Sequence, residues 1–79
     1  MRRGTPSAKL FGDLLTMLRT VGTGQSMRQV GDRIGVRAAT VSQIEKGQRA
    51  LKEPKIPAWA EALEVSEVDL HELWMLSQG

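Results

Sequence analysis

Apolar residues recur along this chain at spacings of three and four, the period of a helix with one buried face. Leu10, Phe11, Leu14, Leu15, Leu18 and Val21 predict a first helix, capped by Ser7 and ended by Gly22-Thr23-Gly24. Val30 and Ile34 mark a short second segment, and Val41 with Ile44 a third. Ser26 is placed to cap the second, and Gln29 three residues on completes a capping box. Gly35 ends it, being suited to the left-handed backbone of a helix C-terminus. The third helix is expected over residues 38–46, stopping at Gly47. After a loop at 48–54, Pro57 suits the first turn of a fourth helix with Trp59, Ala60, Ala62 and Leu63. Ser66 caps a fifth, with Asp69 at the acidic position of its box. Val68, Leu70, Leu73, Trp74 and Leu76 supply its apolar surface. No stretch alternates with the period of a strand, so an all-α fold of five short helices is expected. Residues 1–6 read as a flexible basic arm, 7–76 as the domain and 77–79 as a tail.

The stretch from Ser26 to Gly47 is the most informative. Two short amphipathic segments meet there across the corner Gly35-Val36. Gly31 lies one turn before Gly35, where a larger side chain would hold the next helix away. Such a pair cannot bury its apolar face alone. Packed on a helical body, it holds its second helix outward, as major-groove reading requires.

Composition excludes several alternatives. The chain has 79 residues and no cysteine, hence no disulfide, thiolate zinc site or thiol nucleophile. A domain this small buries only about 60–65% of its unfolded surface, so its stability margin is thin. One histidine, His71, and no dense carboxylate cluster argue against a metal, and no cofactor is expected. The basic N-terminal stretch has no long apolar core or small-residue cleavage site, so no signal peptide is expected. No apolar run approaches the ~20 residues of a membrane span. A soluble, cytoplasmic, nucleoid-associated protein is the expectation.

The net charge of +2 conceals a polarity. Residues 1–55 hold all eleven Lys and Arg against four acids, giving +7. Residues 56–79 hold five acids and no Lys or Arg, giving −5. A molecule so polarised turns its basic end toward a polyanion. That basic half also carries the two-helix unit, and the coincidence points to nucleic acid.

At this point the chain resembles the phage repressor and Cro-like, or XRE-type, helix-turn-helix domains. The resemblance rests on Val30-Gly31, Ile34-Gly35-Val36, Val41, Ile44-Glu45-Lys46-Gly47 and Leu63-Glu64-Val65-Ser66, in this order, over residues 10–73. It implies a compact five-helix, lambda-repressor-like domain with the helix-turn-helix at helices 2 and 3. It also implies binding to double-stranded operator DNA, usually as a homodimer on a two-fold-related site. The chain departs from the family pattern at Arg37, where Ser or Thr commonly caps the third helix. Met27 stands in place of a frequent Gln, Glu64 in place of the usual Gly, and the loop after Gly47 is slightly long.

In this motif the start of the third helix faces base edges, which here means Arg37, Ala38, Ala39 and Thr40, then Gln43 one turn later. Gln43 can pair with the N6 and N7 of adenine, and the alanines offer methyl surface to thymine. Arg37 is long enough for guanine or a phosphate. A bidentate pair gives about 1–3 kcal/mol of discrimination, so direct readout is modest and DNA shape, dimer spacing or water supplies the rest. Phosphate contacts are expected from Ser26, Arg28 and Gln29 at the positive end of the second helix, and from Lys46, Arg49 and Lys52 beyond the third. Arg2 and Arg3 read as a solubilising arm, with minor-groove entry as the alternative.

No enzymatic activity is expected. His71 beside Glu67 and Glu72 reads as a structural histidine, Ser66 is a cap, and Gly22-Thr23-Gly24 lacks the lysine and strand context of a phosphate loop. The rival reading is a protein-interaction module, such as an antitoxin that binds a toxin and represses its own operon. Trp74, Met75 and Leu76 would be its dimer or partner surface, while Trp59 reads as core.

Overall fold

The computed structural model describes residues 6–78. Among them there are five α-helices and no strand: α1 (Pro6–Met17), α2 (Met27–Ile34), α3 (Ala38–Glu45), α4 (Ile56–Leu63) and α5 (Glu67–Ser77). A π-helical turn, Leu18–Thr23, prolongs α1, and a 3-10 turn, Glu53–Lys55, precedes α4. None of these helices is long and apolar enough to cross a membrane.

The expected boundaries shift slightly at both ends. Among the described residues α1 runs from Pro6, so Ser7, expected as its cap, falls within the helix. α5 runs through Ser77, one residue past the expected domain end. The expected arm, Arg2 and Arg3 included, falls outside the described residues except for Pro6.

Leu15, Val30, Val41, Ile56, Trp59, Leu63 and Leu70 are almost fully buried, so every helix contributes to one core. α2 packs on α3 and α4, α1 on α3 and α5, and α4 on α5. Trp59 is core, as its spacing suggested. Not every apolar residue of the helical patterns is inside. Leu10, Val21, Val68, Leu73 and Leu76 are exposed, because they lie off the stripes that face the core.

The core stripe of α1 and the π-helical turn that prolongs it instead runs Phe11, Leu15, Arg19, and it brings a charge inside. Arg19 is 8% exposed and Glu45, on the inner face of α3, 4%. The two pair across the helix junction. Beside them α1 crosses the end of α3 so closely that a Cβ on Gly12 would clash with the Glu45 carbonyl oxygen. Neither feature was anticipated from the apolar spacing. A charged residue on the inner stripe of each of two helices, opposite in sign, was the available signal.

Candidate nucleic-acid interface

The cap that opens α2 forms as its sequence suggests. Ser26 Oγ accepts the Gln29 N–H at 3.1 Å, and Gln29 Oε1 accepts the Ser26 N–H at 2.8 Å. The box uses acceptors, so the Ser26 hydroxyl proton and the Gln29 amide NH₂ remain as donors beside the unpaired first N–H groups of the helix. An end with donors and a positive dipole suits a phosphate.

Gly35 closes α2 at φ 94°, and both it and Val36 donate their N–H to the Gly31 carbonyl, at 2.7 and 2.9 Å. A Cβ on Gly31 would lie 2.6 Å from the Val36 carbonyl oxygen. The close approach expected at Gly31 is therefore to the corner itself, which sets the angle at which α3 leaves α2.

Along α3, Val41, Ile44 and Glu45 face inward. Ala39, Gln43 and Lys46 are exposed, and spacings of four and three put them on one outward line. Arg37 is exposed at the N-cap, where its side chain makes no capping bond. Ala38 and Thr40 are half-buried on the flanks. Beyond α3 the Gln48 and Arg49 N–H groups both bond to the Gln43 carbonyl, which fixes the start of the loop carrying Arg49 and Lys52.

The pairing of cations separates this side from the rest of the described surface. Lys9 pairs with Asp13, Arg19 with Glu45 and Arg33 with Glu64. Arg28, Arg37, Lys46, Arg49 and Lys52, all candidate contacts, are exposed and have no carboxylate within 4.0 Å among the described residues. Lys55 is unpaired too and lay outside the expected set.

Trp74, Met75 and Leu76 sit elsewhere, on α5. The Trp74 indole is half-buried and donates Nε1–H to the Leu51 carbonyl at 2.6 Å, which leaves Met75 and Leu76 as the open part of that surface. His71 is structural, but its partner is not a neighbour in sequence: Nε2 lies 2.8 Å from Glu53 Oε2. At Ser66 only half the expected capping box forms, with Oγ accepting the Asp69 N–H at 3.3 Å. Among the described residues no group of acidic or histidine side chains could hold a metal.

A fold of five helices, with an outward α3 held by a tight glycine corner, defines a helix-turn-helix protein. The chain belongs to that family: the model described as "Helix-turn-helix domain" matches residues 10–73, the span over which the XRE-type resemblance runs. No curated protein matches the chain to add a nearer relative. Membership makes this a DNA-binding domain of a kind typically found in transcription regulation and typically without enzymatic activity.

Proposed function

We propose that the protein binds double-stranded DNA sequence-specifically as a transcriptional repressor, with α3 in the major groove. Gln43 and Ala39 meet base edges, Arg37 reaches a base or phosphate at the groove entrance, and Ala38 and Thr40 flank them. Ser26, Arg28, Gln29, Lys46, Arg49 and Lys52 hold the backbone on either side. The observation that carries this reading is the run of exposed cations from α2 to the loop after α3 with no carboxylate partner among the described residues, where Lys9 and Arg33 are paired. Uncompensated charge placed along one structural unit is what counterion release from DNA rewards.

A homodimer on a two-fold-related operator fits the exposed Met75 and Leu76, together with the shallow groove that Leu10, Leu14, Leu73 and Leu76 line between α1 and α5. The same surface supports the second reading, a toxin-like protein partner. Light scattering with and without operator distinguishes a dimer from a strict monomer. The DNA-reading role is tested by selecting bound duplexes from a random pool and repeating the selection with Gln43→Ala. Relaxed preference at one position per half-site supports it, and an unchanged preference profile removes Gln43 as a reader.

A further inference from the structure

A cleft of about 320 Å³ lies between the helix-turn-helix and the loop that follows α3. Its apolar lining comes from Ile34, Val36, Ile44, Leu51 and Trp59. Ile34 and Val36 are only half-buried, so apolar surface there remains to be covered. Thr40 of α3 and the exposed Arg49, Lys52 and Lys55 complete the lining.

Their charge is uncompensated for a reason visible in the fold. Glu53 is the only acid between residues 48 and 55, and its carboxylate is turned to His71 on α5. Three cations beside an apolar lining match neither a hydrocarbon, which would leave the charges unpaired, nor a bare inorganic anion, which would leave the apolar lining wet. The volume sits at the lower end of the roughly 300–1,000 Å³ typical of small-molecule sites, which combine apolar lining with a few convergent polar groups.

We propose that this cleft binds a small amphipathic organic anion, an aromatic or branched aliphatic carboxylic acid, and that its occupancy weakens DNA binding. The acid's body covers Val36 and Leu51, and its carboxylate pairs with Lys55, Lys52 and Arg49. The regulatory half rests on the DNA-binding reading above: Arg49 and Lys52 are also phosphate candidates, so acid and duplex compete for the same two cations. Linkage makes the effect reciprocal, so bound duplex weakens the acid equally.

The test is an NMR titration of the full chain with naphthalene-2-carboxylate, set against the uncharged naphthalene-2-carboxamide. The expected result is saturable shifts at Val36, Thr40, Ala50 and Leu51, with the acid bound roughly ten-fold more tightly than the amide. Lys55→Gln, on the surface and outside the proposed DNA contacts, should weaken the acid several-fold while leaving duplex affinity without acid unchanged. Saturating acid should raise the duplex Kd of the natural protein. Equal binding of acid and amide, shifts confined to the α1/α5 groove, or full acid affinity in Lys55→Gln would each overturn the site. Acid binding with an unmoved duplex Kd would overturn the regulation. Failure of the DNA reading would appear separately, as absent salt-sensitive duplex binding while the acid titration still saturates.

Discussion

The Arg19 guanidinium meets the Glu45 carboxylate through two near-parallel bonds, Nε to Oε2 at 2.7 Å and Nη2 to Oε1 at 3.0 Å. This fork ties the turn after α1 to the last residue of α3 and so braces the recognition helix from inside. The Thr16 hydroxyl adds a contact to Oε1 at 3.0 Å, and Arg19 Nη1 donates to the Gln25 carbonyl, also at 3.0 Å. The hydrogen bonds that Arg19 donates to Glu45 raise the arginine pKa, against the opposing pull of burial. A raised basic pKa contributes stability that is full below the unfolded value and lost only above it. The arginine's share should therefore be constant between roughly pH 5 and 9.

Removing one partner leaves the other charge buried and alone. Glu45→Ala should cost about 3–5 kcal/mol in urea denaturation, enough to bring a small domain close to unfolding. The double variant Arg19→Met with Glu45→Leu should lose less than either single change, because no buried charge remains.

At the N-cap of α3, Arg37 has extended backbone, φ −78° and ψ 156°, but no side-chain bond to the helix. Arg37→Ser supplies that acceptor and should raise stability by about 1 kcal/mol. The same change should weaken duplex binding and make its salt dependence shallower by about one contact's worth. A gain in both stability and DNA affinity would show that Arg37 does not touch DNA.

Glu64 closes α4 in the left-handed region, at φ 61° and ψ 44°. Its ion pair with Arg33, at 3.7 Å between exposed side chains, offsets little of that strain. Glu64→Gly should raise the melting free energy by about 0.5–1 kcal/mol, the relief of left-handed strain exceeding the entropy glycine adds to the unfolded chain.

Gly31→Ala tests the corner. Alanine is favoured over glycine inside a helix by about 1 kcal/mol, yet here its Cβ would meet the Val36 carbonyl, and backbone cannot swing aside as a side-chain tip can. Net destabilisation of about 1–2 kcal/mol is expected by thermal unfolding. Duplex affinity should also fall under conditions where the variant is fully folded, because α3 must shift.

Much of this was legible along the chain. Val30 with Ile34, Val41 with Ile44, and the caps at Ser26, Gly35 and Ser66 are local signals, and each helix they mark is present. Arg19, Glu45, Glu53 and His71 were not paired in advance, since their partners lie 26 and 18 residues away and only the packing joins them. The π-helical turn was also hidden. In and around it Thr16, Thr20 and Thr23 bond carbonyls four residues back, an alternative to regular helix that apolar spacing does not register. Lys55 escaped the candidate set for a related reason: its place beside the cleft depends on how the loop folds back over α3.

The most direct measurement is duplex affinity across a salt series, for the natural protein and for a folded Arg28→Ala/Lys46→Ala/Arg49→Ala variant. Each phosphate contact contributes about −0.9 to the slope of log K against log salt. The variant should bind more weakly, with a slope shallower by about 2–3. Equal affinity and equal slope in the two proteins would contradict the proposed interface.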